Sequence, residues 1–285
     1  MNGFINLYKP SGITSAYALN KIKKILGKKV KCGHMGTLDP MASGVLPVGI
    51  GKCTRLFNYL LDKDKKYRAT FTFGYETDTL DAEGKVVADG GKIPTYEEIL
   101  VAVKGLIGEV EQVPPAYSAK NVGGTRSYVL ARQGIAVDLK PKKVVITDIK
   151  VEKTDCENAY NFTIFCKGGT YIRSICRDLA YALNTYATMT KLERFQSGLF
   201  TENNSILIEN INDINDVLKA LIKPETVVNF ETINLSIDKF NDLINGRRCV
   251  VENPNGLYSV FYQNSYVGVC EVLDNNLTIK AYVKD

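Results

Sequence analysis

Apolar and polar positions change period repeatedly along the chain, and each change marks an element. The apolar run GFINL at residues 3–7 ends at Lys9-Pro10, which predicts a short strand followed by a Ser-Gly turn. Thr14-Ser15 can cap a helix in which Ala18, Leu19, Ile22, Ile25 and Leu26 recur at helical spacing. Gly27 stops it, and its other face is lysine. Residues 32–52 hold too much Gly and Pro for a helix and contain the apolar piece 45–50, so they read as a structured loop flanking a strand. Residues 54–61 predict a helix. At 67–74, Tyr67, Ala69, Phe71 and Phe73 alternate with Arg68, Thr70 and Thr72, the pattern of a half-buried strand.

An acidic turn at 77–84 (TDTLDAEG) leads to an extended piece at 85–88. Residues 96–106 are helical by pattern, 110–113 extended, and Pro114-Pro115 stops anything regular. A short helix at 127–132 ends near Gly134; strands at 144–151 and 160–166 form an antiparallel pair; and a Gly-rich turn opens a helix at 171–183. Arg173 and Arg177 lie one turn apart on it. Strands and helices alternate irregularly, without the rhythm of a doubly wound sheet, so the fold class is α+β with a mixed sheet. After residue 228 the elements shorten: a helix at 237–244, then strands at 248–251, 257–262, 266–273 and 277–283 between Asn-rich turns. About fifty residues is marginal for independent stability. The expected organisation is a large domain over 1–228 with a small β-rich domain, 229–285, docked on it.

Composition narrows the chemistry. The chain has 285 residues, 45% hydrophobic and 24% charged, as in an ordinary globular protein. No apolar run approaches the roughly 18 residues of a membrane span, and the N-terminus lacks a signal-peptide pattern, so a cytoplasmic protein is expected. Seven cysteines without a CxxC pair are expected to be reduced and buried. A single histidine, His34, rules out a two-histidine metal site, and no GxxxxGK[ST] or GxGxxG is present. Carboxylate, phenol and guanidinium groups are left to do the work.

Charge is unevenly spread. Residues 201–285 carry seven basic and twelve acidic side chains, net −5, so residues 1–200 hold +10 of the overall +5. Lys9, Lys21, Lys23, Lys24, Lys28, Lys29 and Lys31 all precede the first acid of the chain, Asp39. An acid-free lysine stretch suits a polyanion, a reading favoured over a merely solvated helix face.

The segment from Gly33 to Val48 (GHMGTLDPMASGVLPV) concentrates the chemistry. Glycines at 33, 36 and 44 permit turns and close approaches, and Pro40 biases Asp39 toward an extended backbone. Asp39 is thus either a positioned acid or a common turn-forming Asp-Pro, and these residues do not decide between the two.

This segment resembles the catalytic motif of the TruB family of tRNA pseudouridine synthases, which isomerise uridine 55 in the T-loop of tRNA. Further matches follow in the family's order: KPSGITS at 9–15, Lys66-Tyr67-Arg68, QVPPAYSA at 112–119, ARQG at 131–134, GTYIR at 169–173 and SGLF at 197–200. The resemblance covers about residues 3–200. It implies a pseudouridine-synthase-like catalytic domain with a mixed, largely antiparallel sheet, and more loosely a PUA-like C-terminal domain. It further implies that Asp39 is the catalytic aspartate, that Tyr67 stacks on the target uracil, and that Arg173 pairs with Asp39. Tyr171 and Leu192 would line the pocket, and His34 would meet RNA near the target. Lys9, Arg55 and Lys120 are candidates for phosphate contacts. Without the resemblance, Tyr67, Tyr171 and Leu192 would pass as core, Arg173 as a surface residue at a helix start, and His34 as a hydrogen-bonded loop residue.

The implied enzyme takes tRNA as its partner, needs no cofactor or metal, has no membrane association and is expected to be monomeric. Two other readings of the same residues are an N-glycosidase, which would release free uracil, and an RNA-binding protein whose aspartate motif is structural.

Overall fold

The alternating stretch around Tyr67 lies near the middle of a ten-stranded sheet. The computed structural model describes residues 1–27, 29–60 and 63–284; Lys28 of the lysine-rich stretch and Leu61 and Asp62, where the helix expected at 54–61 would end, lie outside them. In chain order the larger unit contains β1 (Gly3–Lys9), α1 (Ser15–Leu26), β2 (Cys32–His34), β3 (Ser43–Ile50), β4 (Lys65–Phe73), α2 (Tyr96–Ala102) and β5 (Gly108–Gln112). It continues with α3 (Ser127–Arg132), β6 (Lys142–Lys153), β7 (Ala159–Cys166), α4 (Ile172–Ala182), β8 (Ala187–Ser197), β9 (Phe200–Thr201) and β10 (Ile206–Leu207). The sheet order is β10-β1-β3-β8-β4-β7-β6-β5, with β2 beside β3 and β9 beside β8. Pairing is antiparallel except at β1–β10 and β3–β8, so the fold is α+β with a mixed, largely antiparallel sheet.

Sequence periodicity explains which face each strand buries. Tyr67, Ala69, Phe71 and Phe73 of β4 all point into the main core, where Phe71 stacks on Phe162 with ring centroids 4.3 Å apart. Leu19 and Ile22 of α1, Ile99 of α2, and Ile175 and Leu179 of α4 cover that face. Each such side chain contributes about 1.5–3 kcal/mol when fully buried. β3 shows no alternation because both its faces are covered. Leu46 enters the main core, while Val45 joins a second cluster beneath the C-terminal sheet.

That second sheet contains β11 (Glu231–Leu235), β12 (Gly256–Tyr262), β13 (Ser265–Leu273) and β14 (Asn276–Tyr282), in that order across the sheet. Helix α5 (Ile237–Ile244) packs on it, with Phe240 stacked on Tyr262 at 4.0 Å. One side forms its own core around Val260, Val267 and Cys270. The other lays Tyr266, Val269 and Ala281 against Phe4, Val45 and Leu56 of the larger unit. Among the described residues no helix is long and apolar enough to cross a membrane.

Several expectations need correction. β8 is absent from the hydropathy reading because its buried positions include Thr188 and Arg194, which are satisfied by hydrogen bonds, and two bulges break its period. β11 offers just Ile233 and Leu235 as buried alternating positions. Residues 248–251 form no strand: the Cys249 amide donates to the Asn276 side chain, and Val250 makes a single bridge. The helix expected at 54–61 is a 3₁₀ helix over Gly51–Tyr59. Six cysteines are buried as anticipated, while Cys156 is exposed.

Gly44 shows how closely β3 and β8 meet. Its φ is +113°, and a Cβ there would stand 2.2 Å from the Arg194 carbonyl oxygen, backbone against backbone. Gly44→Ala is therefore expected to cost about 3 kcal/mol in equilibrium urea unfolding. A variant within about 0.5 kcal/mol of the parent would show that the strands separate freely.

Candidate active site

The loop between β2 and β3 carries Asp39, and the segment after β1 fastens it. Ser15, the first residue of α1, accepts from the Leu38 amide at 2.8 Å and donates to the Leu38 carbonyl at 2.9 Å. The Gly12 amide donates to the Pro40 carbonyl, and the Ser11 hydroxyl to the Met41 carbonyl. Lys9 lies beneath, fully buried, its Nζ donating to the carbonyls of Pro10, Ile13 and Pro40. KPSGITS and the Asp39 segment are thus two halves of one assembly, which explains their recurrence as separate motifs in sequence.

Asp39 opens into a cavity of about 870 Å³. Arg173, near the start of α4, donates from Nη2 to Asp39 Oδ1 at 2.9 Å and to the Tyr117 carbonyl at 2.9 Å. Its Nη1 donates to the Thr79 carbonyl at 2.9 Å and lies 3.3 Å from Asp81 Oδ2. The guanidinium is 6% exposed and Asp81 5%, whereas Asp39 keeps 29% of its side chain open to the cavity. Burial pushes the Asp39 carboxyl above the usual carboxylate range; Arg173 pulls it down, Asp81 pushes it up, and Lys9 pulls it down again.

Tyr67 of β4 and Leu192 of β8 stand on adjacent strands facing the cavity. Tyr171, which caps α4, lines it too, its backbone clamped by buried Gln112: the Tyr171 amide donates to Oε1 at 2.8 Å, and Nε2 donates to the Tyr171 carbonyl at 3.1 Å. Lys85, Lys142 and Arg132 supply positive charge around the opening. The cavity thus offers a partly open carboxylate beside a buried cation, the exposed acids Asp78 and Glu83, an aromatic wall, and basic side chains suited to an anionic polymer.

Of the residues singled out in sequence, Asp39, Tyr67, Tyr171, Arg173 and Leu192 meet in this cavity, and His34, Lys9, Arg55 and Lys120 do not line it. His34 is half-buried on β2 beside Val48, and burial holds its imidazole below the ordinary value. Arg55 is exposed and donates to the Tyr282 carbonyl at 3.3 Å, on the seam with the second sheet. Lys120 is half-buried next to the cavity-lining Ala119, and its Nζ donates to the Lys140 carbonyl. Lys9 contradicts its expectation: a fully buried ammonium occupied by three carbonyls has no surface to offer a phosphate.

Asp81 and Arg194 were missed. Asp81 sits in the acidic turn, where three carboxylates in seven residues was a usable signal. Arg194 sat inside an unrecognised strand, where an arginine two residues from a leucine looks like surface. Among the described residues, no group of three His, Cys, Asp or Glu side chains is arranged to hold a metal ion.

Lys9→Met removes the donor from three carbonyls and should cost about 1–3 kcal/mol in urea unfolding. Burial lowers the Lys9 amine to about 8, so from there up to its ordinary 10.5 the unfolded chain binds the extra proton. The parent protein accordingly gains stability over Lys9→Met as pH rises through that window. The salt dependence of RNA binding should be unchanged in this variant; a slope smaller by about 0.7–0.9 would restore Lys9 as a phosphate ligand.

Comparisons with known proteins identify the family. Residues 23–172 match the TruB family pseudouridylate synthase N-terminal domain, and residues 173–228 match a tRNA pseudouridylate synthase B C-terminal domain. The chain is 40% identical over 277 residues to tRNA pseudouridine synthase B of Clostridium perfringens, covering 93% of this chain and 92% of that one. It is 46% identical over 216 residues to the protein of that name from Rickettsia bellii, covering 75% and 73%. A solved chain from a Cbf5-Nop10-Gar1 complex superposes with a TM-score of 0.70 at 26% identity, covering 95% of this chain and 78% of that one. A chain from an H/ACA RNP bound to a substrate RNA superposes at 0.68 with 24% identity, covering 95% and 78%, which supports the fold. With the family domains matched over most of the chain and relatives this similar, the protein belongs to the TruB family of tRNA pseudouridine synthases.

Proposed function

We propose that this enzyme isomerises uridine 55 in the T-loop of tRNA without a cofactor, with Asp39 as its catalytic residue. The observation that carries this reading is one partly open carboxylate, 2.9 Å from a buried guanidinium, in a cavity walled by Tyr67, Tyr171 and Leu192. Asp39 lies inside the cavity, out of reach of a base held in a stack, so the nucleotide must leave its stack before it reacts. Tyr67 then stacks on the uracil, a contact worth about 1–3 kcal/mol. Arg173 orients Asp39 and favours its ionised form.

The reaction breaks the C1′–N1 bond, turns the uracil and forms C1′–C5, while the C5 proton is exchanged for one on N1. No atom is gained or lost, and no electron is transferred to an acceptor. Asp39 serves either by removing and returning the C2′ proton or by attacking C1′ as a nucleophile. Both routes begin from the same carboxylate. A hydrolytic glycosidase would ordinarily place a second carboxylate across the bond with room for water. Asp81 does not fill that place, because it is buried and held by Arg173, and whether the exposed Glu83 or Asp78 of the cavity lining does so is what the mass measurement below decides.

Shape recognition of a folded loop, with base contacts confined to extruded nucleotides, fits a basic rim around a deep cavity. Arg55, which is exposed, and the half-buried Lys120 are assigned to phosphate contacts and His34 to RNA near the target. We assign residues 1–228 to the catalytic domain and 229–285 to a PUA-like domain, in a monomeric, cytoplasmic enzyme.

An unmodified tRNA transcript incubated with the protein should acquire pseudouridine at position 55 with no change in tRNA mass, in chelator as in buffer. Asp39→Ala should abolish product while tRNA affinity stays within about 3-fold, since the carboxylate acts on chemistry more than on binding. Loss of a base from the RNA would point to hydrolysis, and retained turnover would remove Asp39 from the mechanism.

Only the ionised carboxylate works in either route, so the single-turnover rate should fall on acidification. Its midpoint should lie above the ordinary 3.8, because burial raises the Asp39 carboxyl. Arg173→Met, which removes a cation that lowers it, should move the midpoint further up. A midpoint below 3.8 would contradict the environment described here.

A further inference from the structure

Arg194 is among the largest fully buried side chains of the protein, and the chemistry above makes no use of it. Its backbone on β8 pairs with Gly44, at the end of the Asp39 loop, on one side and with Tyr67 of β4 on the other. Its side chain turns back to the same two places. Nε donates to the Val45 carbonyl at 2.9 Å, and Nη2 donates to the Gly36 carbonyl at 3.0 Å, so the guanidinium grips the loop both before and after Asp39. It also lies close to the Tyr67 hydroxyl. Its hydrogen-bond partners are two carbonyls, and it lines the cavity together with Tyr67.

A guanidinium has donors only. Towards a guanidinium the Tyr67 oxygen can act only as an acceptor, which leaves its own O–H to donate elsewhere, with the cavity in front of it. Glycine at 36 makes room for this grip: with φ at +92°, a Cβ there would lie 3.2 Å from Arg194 Nη1.

We propose that Arg194 is a positioning residue for the isomerisation, fixing the Asp39 loop and the Tyr67 ring at one separation and directing the Tyr67 hydroxyl toward the bound base. The proposal rests on the assignment of Asp39 and Tyr67 to the reacting site made above. It requires that Arg194 act through Tyr67, so the two residues must be energetically coupled.

The test is a double-mutant cycle on the intact protein with an unmodified tRNA transcript, reading single-turnover rate, tRNA affinity and thermal unfolding. Arg194→Lys keeps the buried charge but lacks the planar fork. It should slow turnover at least about 30-fold with tRNA affinity within about 3-fold. Introduced into Tyr67→Phe, the same change should cost less than about 5-fold, because the hydroxyl through which Arg194 is proposed to act is already gone. A folded Arg194→Lys or Arg194→Gln with parental rate overturns the proposal, as does a penalty that multiplies fully with that of Tyr67→Phe.

Should both substitutions at 194 unfold, Tyr67→Phe alone reads the same proposed contact from its other end. It must lose at least about 10-fold in rate with tRNA affinity retained, and an unchanged rate overturns the proposal. Asp39→Asn run in parallel separates the possible failures. If it still turns over, the reading of the site is wrong. If it is inactive while the Arg194 variants behave as parent, the positioning role alone fails.

Discussion

The site depends on one guanidinium shared between two acids. Arg173 reaches Asp39 with one nitrogen and Asp81 with another, and fills its remaining directions with the carbonyls of Thr79 and Tyr117. Taking such charges out of water is costly, and geometry of this completeness is what offsets the cost. Removing the cation would leave two carboxylates facing a low-dielectric pocket with nothing between them. Three loops remote from one another in sequence converge on this side chain, so it organises the cavity as much as it serves it.

Asp39 is tuned by opposition. Burial and Asp81 favour its neutral form, while Arg173 and the buried Lys9 favour its charge. The loop is held from below by Lys9, from the front by Ser15 and from behind by Arg194, each through backbone carbonyls of residues near Asp39 rather than through its carboxylate. The carboxylate thereby keeps its unbonded edge toward the cavity. The role proposed for Asp39, acting on a ribose carbon, asks for an acid that is immobile without being saturated, and the loop meets both demands.

Much of this was legible in the chain because it is local. The cap at Thr14, the alternation of β4 and the antiparallel pair of β6 and β7 are written in period and turn chemistry. What was hidden is non-local. β8 lies between β3 and β4, yet Thr188 and Arg194 are buried there as polar groups, so hydropathy does not mark it. Lys9 looked like one more surface cation in a lysine-rich stretch, and only the fold reveals three carbonyls closing around it. Asp81 carried a visible signal that gained meaning once Arg173 was seen to need a second acid. Motif order pointed to the residues of the cavity; the partners that hold them were beyond the reach of spacing.

The two-way bond between Ser15 and the Leu38 backbone has a mechanical consequence. Helix α1 carries Lys23 and Lys24 in its last turn, while its first residue is bolted to the segment bearing Asp39. A polyanion that seized the far end of this rod would also steady the Asp39 segment at the near end. Grip and chemistry share a single lever about a dozen residues long, so a weakened hold on one should be felt as slackness in the other.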